Sequence, residues 1–370
     1  MLAFIQHSGN ANFRYAVGID AESSFHIFSI DGETREADGR LNAVIVPDLE
    51  GSRAKEAFRG EVLTYSRIGY HEKRKKGVKN PLVESLLEFL KERGVEEVAI
   101  PEDFPAKLAF LLRDRIPVRI EKNPFEIRRA VKTEREVELI RQTCIACVDS
   151  VRFLMKFVSK YISRGKKVRC EELRRLVELR LFSRGFIAEN TIIASGVKTY
   201  QPHWIGYGFV EGHVVADIFP KDRESGYFGD FTRTIIVGEV DEEIVNMLKA
   251  CIEAKNRAEK LVKPGILAKD VHYAVCDVLE SYGYSTLRNR KEEGEGFIHS
   301  TGHGVGLEVH EEPRIFENED VIREGMVFTV EPGLYYRDVG GVRVEDTLVV
   351  RRSGAEILTP CEDYLKVEFD

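Results

Sequence analysis

The stretch that decides the fold and the chemistry of this chain is Ser300-Thr-Gly-His-Gly-Val-Gly-Leu-Glu-Val-His-Glu-Glu-Pro313. It holds two histidines, His303 and His310, and glycines stand on both sides of the first. Because glycine has no side chain, it lets two backbones approach closely and leaves the imidazole between them open to a ligand. The tripeptide Gly-His-Gly alone is weak evidence for a ligand site. Any residues that bind a ligand together with His303 have to come from elsewhere in the sequence.

Four acidic residues lie within or at the ends of apolar, strand-like segments around this stretch. These residues and their segments are Asp217 in 214–219, Asp230 in 230–237, Glu331 in 326–331 and Glu345 in 342–350. A carboxylate buried in such a strand is costly unless it is paired, hydrogen-bonded or bound to a metal ion. A buried salt bridge explains one such residue equally well, but four of them with few nearby basic residues indicate a cation.

The period of two along a strand predicts which of these side chains share a face. It places Asp230 with Thr232 and Thr234, and it places Arg343 with Glu345. Four carboxylates and one imidazole are ligands suited to two divalent first-row ions, with oxygen donors favouring manganese or cobalt-like ions over copper. Four negative charges also balance two ions of charge +2, which makes a buried site tolerable.

The pattern of elements predicts two domains, covering residues 1–124 and 125–370. The first alternates strand-like and helical segments, which is typical of an α/β domain. The second opens with a capping box, Thr133-Glu-Arg-Glu136, at the start of a long helix that runs to about residue 162. A long helix, a short helix and strands then follow in an order that occurs twice, with the later helices at 242–262 and 268–282. This recurrence predicts a pseudo-symmetric second domain.

Composition excludes several classes of protein. The chain has 370 residues, 43% of them hydrophobic, so it can bury sizeable cores without disulfides. Its 55 basic and 62 acidic residues give a formal net charge of -7, which argues against general binding to nucleic acid or anionic membranes. No stretch approaches the roughly 18 apolar residues that a membrane span needs. The six irregularly spaced cysteines suit a reducing compartment, so we expect a cytoplasmic protein.

At these residues the sequence resembles the metallopeptidases of the pita-bread fold, which include methionine aminopeptidases, Xaa-Pro aminopeptidases, prolidases and the creatinase branch. The matching pieces, in the family's order, are Asp217, Asp-Phe-Thr-Arg-Thr at 230–234, the stretch at 301–311, Val-Glu-Pro-Gly at 330–333 and Gly-Val-Arg-Val-Glu-Asp at 341–346. The resemblance implies a creatinase-like α/β N-terminal domain and an α+β pita-bread catalytic domain with pseudo-two-fold symmetry.

The resemblance also implies a set of metal ligands. Asp217, Asp230, His303, Glu331 and Glu345 match the positions that hold two divalent ions in the family, with Asp230 and Glu345 bridging them. Manganese or cobalt is the expected metal, and zinc and iron are compatible with the same ligands.

Further residues match positions on the substrate side. His203 and His310 match the histidines that position the scissile peptide and stabilise its tetrahedral intermediate, and Glu331 is the expected proton carrier. Arg343 is a candidate either to orient the neighbouring bridging carboxylate or to meet a substrate carboxylate, and a structural ion pair is an equal alternative. Arg314, four residues after His310, is a second candidate for a substrate carboxylate.

The complete set of ligands implies an active hydrolase, an Xaa-Pro aminopeptidase or Xaa-Pro dipeptidase acting on short proline-containing peptides. Creatinase chemistry does without the metals, and the extra α/β domain argues against a plain methionine aminopeptidase. Two alternatives stay open, namely a non-catalytic binding protein of the same fold and an aminopeptidase of other N-terminal specificity. The family likeness further implies a homodimer.

One departure concerns the first two acidic ligands. Asp217 and Asp230 are 13 positions apart, about two more than is usual in the family, and Ile-Phe-Pro follows Asp217 where a glycine is common. We therefore expect a longer turn at 221–227, which leaves the ligands in place but reshapes the pocket.

Overall fold

The computed structural model describes residues 1–31, 34, 36–289 and 292–367, and the chain forms two compact units that divide between Arg129 and Ala130. The boundary expected from the sequence, between residues 124 and 125, falls at the start of the helix Pro124–Ala130. Among the described residues, no helix is both long and apolar enough to cross a membrane.

The first unit is built on a six-stranded mixed sheet. Its strands are β1 Leu2–His7, β2 Phe25–Ile30, β3 Ala37–Val46, β4 Glu61–Thr64, β5 Glu97–Ile100 and β6 Val118–Ile120. Its helices are α1 Ala11–Val17, α2 Gly51–Ala57, α3 Tyr70–Lys75, α4 Pro81–Glu92, α5 Ala106–Arg113 and α6 Pro124–Ala130. The strands lie in the order β4-β3-β2-β1-β5-β6, so the alternation of strands and helices predicted for this part of the chain is confirmed.

The second unit consists of two helix pairs, each followed by strands. The first half has α7 Glu134–Ile162, α8 Cys170–Ser183, β7 Phe186–Ile187, β8 Ile192–Ser195, β9 Gly212–Ile218, β10 Lys221–Asp222 and β11 Phe231–Val237. The second half has α9 Glu242–Leu261, α10 Ala268–Ser281, β12 Gly302–Gly304, β13 Glu311–Ile315, β14 Val327–Val330, β15 Gly333–Tyr336, β16 Gly340–Arg343, β17 Asp346–Arg351, β18 Gly354–Ile357 and β19 Leu365–Val367. The predicted recurrence of long helix, short helix and strands is therefore present.

Each helix pair covers its own sheet. Side chains of α7 and α8, such as Val151 and Val177, share one core with Val214 and Phe231 of the sheet ordered β19-β11-β9-β8. Side chains of α9 and α10 form a second core with the sheet ordered β13-β12-β14-β17-β18. These two cores hold the strands that carry the acidic residues, so the candidate ligands project from rigid, well-packed elements.

Two segments differ from the strands expected from sequence. The single strand predicted at 342–350 is wrong, because β16 ends at Arg343, β17 begins at Asp346, and the two belong to different sheets. The segment expected to be only a turn contains β10, which pairs antiparallel with β7. In both places the backbone finds hydrogen-bond partners far away in the sequence, which local periodicity does not register.

Candidate metal centre

Neighbouring strands bring the first two acidic residues together. Asp217 lies on β9 directly opposite Thr232 of β11, and cross-strand partners in an antiparallel pair project to the same face. Asp230 stands immediately before β11, and its carbonyl oxygen accepts a hydrogen bond of 2.7 Å from the hydroxyl of Thr347. Alternation along the strand predicted that Asp230 and Thr232 share one face of the sheet. The pairing of β9 with β11 adds Asp217 to that face.

The second sheet supplies the remaining candidate ligands. His303 is the middle residue of β12, Glu331 follows β14 directly, and Glu345 lies between β16 and β17. Ligand atoms of Asp230, His303 and Glu345 all lie within 4.8 Å of one another. The Nε2 atom of His303 is 3.3 Å from Oε1 of Glu331 and 3.7 Å from Oδ2 of Asp230. Residues separated by more than a hundred positions therefore form one cluster.

The glycines beside His303 are required by close backbone packing. A β-carbon on Gly302 would lie 1.8 Å from the carbonyl oxygen of Thr329, and one on Gly304 would lie 2.1 Å from that of Glu312. Neither position has room for any other residue, as expected from the sequence. The Nδ1 atom of His303 is 3.3 Å from the carbonyl oxygen of Gly304, to which Nδ1–H can donate. This tautomer leaves the Nε2 lone pair toward the carboxylates.

The electrostatics of the cluster favour a bound cation. Burial, reinforced by the neighbouring carboxylates, raises the pKa of Asp230 and of Glu331 well above their usual range. Burial, and then the charge of Asp217, raises the pKa of Glu345 to about 8. Burial lowers the pKa of His303 to about 3, with a smaller contribution from His310. Like charges are crowded beside a neutral imidazole, and this donor set fits divalent metal ions.

Arg343 is engaged by groups of the protein itself. Its side chain is buried, and its Nη2 atom lies 2.6 Å from Oδ2 of Asp217. Its Nη1 atom donates to the hydroxyl of Tyr335 at 2.8 Å. Although the strand ends at Arg343, its Nε–H donates to the hydroxyl of Thr232 at 3.4 Å, and that hydroxyl in turn donates to Glu345 at 2.7 Å. Of the alternatives considered for Arg343, the structure shows an ion pair, and its partner is Asp217 of β9.

A buried network behind the cluster was not foreseen from sequence. The guanidinium of Arg233, fully buried, contacts Asp346 at 2.9 Å and donates to the carbonyl oxygen of Glu345 at 2.5 Å. Lys255 of α9 also contacts Asp346, as well as Glu259 at 3.1 Å. These ion pairs fix the backbone next to Glu345. The only signal in the sequence was a charged residue, Arg233, inside an apolar strand.

The two histidines expected on the substrate side, His310 and His203, are exposed to solvent. The ring of His310 packs edge-on against that of His303, with centroids 4.2 Å apart, and it remains exposed. Partial desolvation, followed by the nearby His203, lowers the pKa of His310. His203 is exposed as well. Arg314 is exposed on β13, where its backbone pairs with that of His303 and its guanidinium lies over the ring of Phe316.

Other histidines of this unit have packing roles. His213 is buried, and its Nε2 atom lies 3.1 Å from the hydroxyl of Thr199. His272 is buried, with Nδ1 at 2.9 Å from the hydroxyl of Thr301. These rings are satisfied by hydroxyl groups and are separate from the candidate ligands.

The second unit thus presents a cluster of buried carboxylates and one neutral imidazole, a donor set that can hold divalent metal ions. Metallopeptidase family M24 matches residues 138–352, the part of the chain that carries every candidate ligand. The chain belongs to this family. It is therefore a metallopeptidase of the pita-bread fold with an additional N-terminal α/β domain, and the expectation drawn from the resemblance is confirmed.

Similar proteins agree in architecture. The chain is 34% identical to the Xaa-Pro dipeptidase of Pyrococcus horikoshii, over 88% of this chain and 86% of that protein. The structure of the prolidase from Pyrococcus furiosus superimposes with a TM-score of 0.78 at 29% identity, covering 97% of this chain and 96% of that one. The X-Pro aminopeptidase from Thermotoga maritima shares the fold, with a TM-score of 0.79 at 24% identity and coverage of 99% and 97%. Fold likeness thus extends over both units.

Proposed function

We propose that this protein is a dinuclear-metal-dependent exopeptidase that hydrolyses the Xaa-Pro bond of dipeptides or at the N-terminus of short peptides. The observation that carries the proposal is the buried cluster of Asp230, His303 and Glu345, whose ligand atoms lie within 4.8 Å of one another. Substantial identity to an Xaa-Pro dipeptidase over most of both chains supports the same substrate class.

The metal-holding residues in this proposal are Asp217, Asp230, His303, Glu331 and Glu345, and two divalent ions are shared among them. Asp230 and Glu345, both buried and with raised pKa values, would be the carboxylates that hold both ions, as the family resemblance implies. Manganese or cobalt suits a site with this many oxygen donors, and zinc and iron accept the same ligands. When bound, such ions supply the charge that lowers the pKa of water and polarises a carbonyl oxygen.

The side chains of the protein then bind, orient and move the proton. Glu331, next to His303 at 3.3 Å, takes the proton of the attacking water and delivers it to the proline nitrogen as the peptide bond breaks. His310 and His203, both exposed to solvent, donate hydrogen bonds to the developing oxyanion and fix the substrate. These roles rest on the resemblance of the three positions to the family, and the exposure of the two histidines is compatible with substrate contact.

The two arginines take different roles. Arg343 is buried and paired with Asp217 at 2.6 Å, so we assign it to holding that ligand, which makes it a positioning group. Arg314 is exposed beside the strand of His303, which leaves its guanidinium available to a substrate carboxylate. A dipeptide places that carboxylate on the proline, whereas a longer peptide moves it farther from the cleaved bond.

A substrate panel tests the proposal. Manganese- or cobalt-loaded protein is assayed with Xaa-Pro, Xaa-Pro-Yaa and Met-Ala-Yaa, and we expect release of the first residue from at least one proline peptide and none from Met-Ala-Yaa. Cleavage of Xaa-Pro alone identifies a dipeptidase, and cleavage of Xaa-Pro-Yaa an aminopeptidase. Preferential cleavage of Met-Ala-Yaa means other N-terminal specificity, and no cleavage by metal-loaded protein means a binding protein.

The proposed setting is a cytoplasmic homodimer that binds neither nucleic acid nor membrane. The formal net charge of -7 supports the absence of polyanionic partners. Light scattering on the purified protein tests the dimer, with twice the chain mass as the expected result and the chain mass as the contradicting one.

A further inference from the structure

A buried ion pair outside the metal cluster joins two distant parts of the second unit. The Nζ atom of Lys132 lies 2.8 Å from Oε1 of Glu311, and the two side chains are only 1% and 5% exposed. The residues are 179 positions apart. Charged side chains are almost never buried to this extent without a specific reason.

One end of the pair stands directly beside a residue of the proposed site. Glu311 follows His310, and its Oε2 atom accepts a hydrogen bond of 3.3 Å from the backbone amide of Glu308. A β-carbon on Gly306 would lie 2.3 Å from Oε1 of Glu311, so the loop folds tightly around this carboxylate. The amide of Phe228 donates to the carbonyl oxygen of Gly306 at 2.8 Å. The carboxylate of Glu311, the first residue of β13, is therefore enclosed by the preceding loop, residues 305–310.

The other end of the pair is fixed to the framework. The amide of Lys132 donates to the carbonyl oxygen of Gly325 at 2.8 Å, and Val131 forms a β-bridge with Met326 just before β14. The capping box of α7 begins at the next residue, Thr133. Lys132 thus lies where α7 begins beside the sheet that contains β14, and its backbone is held independently of the loop.

The energetics of buried ion pairs favour a positioning role over a stabilising one. Removing two charges from water costs several kcal/mol for each ion, and the attraction between them often does no more than offset this. Apolar side chains of similar volume frequently give equal or greater stability at such sites. An ion pair, unlike an apolar contact, fixes one separation and one direction between two segments.

We propose that the Lys132–Glu311 pair is a positioning device that sets the place of His310 relative to His303. This inference rests on the function proposed above for His310. His303 needs no such support, because it lies within β12 and its backbone amide donates to the hydroxyl of Thr329 at 3.2 Å. His310 lies in a loop, and its ring still packs against that of His303. His310 is the last residue before β13, so the ion pair made by Glu311, the first residue of that strand, fixes the point from which the imidazole projects.

The test replaces both charges at once, in the variant Lys132→Met with Glu311→Leu. We expect kcat on the best proline peptide to fall between about 10- and 100-fold, because small misplacements of catalytic groups have effects of this size. KM, metal affinity and the midpoint of thermal unfolding stay near wild-type values. In the background of His310→Ala, the double replacement produces no further loss, since its effect acts through His310.

A direct view of His310 separates this inference from the proposed function. In protein labelled with ¹³C at histidine, the ring signal of His310 is identified by its loss in His310→Ala, and it shifts in the double variant. A wild-type protein that hydrolyses no peptide overturns the proposed function, whereas the ring signal still reports position. An unshifted His310 signal, or an equal further loss of kcat in the His310→Ala background, overturns the inference.

Two further variants keep the test decisive. Arg141→Met with Glu356→Leu removes another long-range ion pair, 2.7 Å long and partly exposed, and leaves kcat and the His310 signal unchanged. If the first double variant does not fold, Glu311→Gln keeps the shape of the side chain and removes only its charge. It is expected to shift the His310 signal and lower kcat in the same direction, and an unshifted signal overturns the inference here too.

Discussion

His303 is prepared for metal binding before any ion arrives. Burial lowers its pKa to about 3, so its imidazole is neutral at physiological pH and the Nε2 lone pair is free. The nearby carboxylates supply the charge, and the histidine adds a donor without adding to their repulsion. Removing it therefore weakens binding but does not relieve the crowding of Asp230, Glu331 and Glu345.

Substitution of the histidine tests this assignment. We expect His303→Ala to raise the metal Kd by at least about 100-fold, the upper end of what even indirect support of a ligand contributes, and to lower the rate with it. Isothermal titration of metal-free protein measures the affinity, and His71→Ala in the first unit serves as the matched histidine control. Retention of both ions at full occupancy in His303→Ala contradicts the assignment.

Glu331 is expected to carry the proton. Glu331→Gln keeps the size of the side chain and an oxygen ligand, so we expect kcat to fall by roughly 100- to 10,000-fold while part of the metal stays bound. Metal content is measured on the same samples, and Glu324→Gln on the exposed surface is the control. Wild-type turnover with intact metals removes Glu331 from this role.

At the scale of single residues, the sequence predicted which side chains are candidate metal ligands. It did not predict which acidic residues form ion pairs with the buried basic ones. Acidic residues in apolar strands are recognisable because burial of a lone carboxylate is unfavourable, and this argument singled out Asp217, Asp230, Glu331 and Glu345 as candidate ligands. The partners of Arg343 and Lys132 come from β9 and from the first residue of β13, more than a hundred positions away. Periodicity relates only neighbours in sequence, so it carries no information on which charged groups meet across the fold.

At the scale of single elements, the cap of α7 is a local feature that the sequence predicted in full. The amide of Thr133 donates to Glu136 at 2.7 Å, and the amide of Glu136 donates to the hydroxyl of Thr133 at 3.3 Å. We expect Thr133→Ala to lower the free energy of unfolding by about 1 kcal/mol, because one helical amide loses its partner.

The single tryptophan, Trp204, lies in the same unit as this cap, so its fluorescence during urea unfolding measures the loss. Thr133→Ser keeps the hydroxyl and is expected to behave like the wild type. An unfolding midpoint for Thr133→Ala that equals that of Thr133→Ser contradicts the contribution of the cap.

The strand β2 makes the first unit sensitive to acid. His26 is buried there, and its ring accepts from Gln6 at 2.9 Å and donates to Asn42 at 2.9 Å, which requires the neutral form. Burial lowers the pKa of His26 to about 4, although the bond with Asn42 opposes the shift. The unfolded chain binds this proton near pH 6.5 and the folded chain does not, so stability falls as the pH drops from about 6.5 to about 4.

The expected loss from His26 is about 3 kcal/mol over that range. Hydrogen–deuterium exchange of the β2 peptide, corrected for the intrinsic pH dependence, should show protection falling across the range in the wild type. In His26→Gln, where the group cannot titrate, the fall should be smaller by this contribution. Equal pH dependence in the two proteins contradicts the role of His26.

The bounds of the helices predicted in the second unit agree with the structure within about two residues, whereas the predicted continuity of the strand at 342–350 does not. Helices such as α7 and α9 follow from a periodic apolar face and a capping residue, both of which are local. The break between β16 and β17 depends on the amides of Val344 and Glu345, which donate to the carbonyl oxygens of Pro332 and Thr232. Those tertiary partners end one strand and begin another where the sequence reads as continuous.

At the scale of the whole molecule, part of the excess of acidic over basic residues is accounted for by the proposed metal ligands. Four of the 62 acidic residues are the proposed carboxylate ligands, so two divalent ions would bring the formal net charge from -7 to -3. The remaining acidic residues include the partners of Arg233, Lys255 and Lys132 in buried ion pairs. A small part of the acidic total is therefore buried in this unit, as candidate ligands and as partners of buried basic groups.

The recurrence of long helix, short helix and sheet explains how that centre forms. Each helix pair packs on its own sheet, and each sheet contributes candidate ligands, Asp217 and Asp230 from the first and His303 and Glu331 from the second. The pseudo-symmetry was predictable because the helices are periodic. The pairing of strands within each sheet was not, since it joins segments such as β11 and β19 that are far apart in the chain.

In the proposed function, the buried cluster of Asp230, His303 and Glu345 makes the protein a metal-dependent Xaa-Pro peptidase. The most direct test of this claim is the hydrolysis of an Xaa-Pro and an Xaa-Pro-Yaa peptide by chelator-stripped protein titrated with manganese, beside Asp230→Asn as the impaired control. We predict no hydrolysis without metal, a rate that rises until two ions are bound per chain, and little activity in Asp230→Asn. Full activity in the stripped protein, or no hydrolysis at any metal ratio, would contradict the claim.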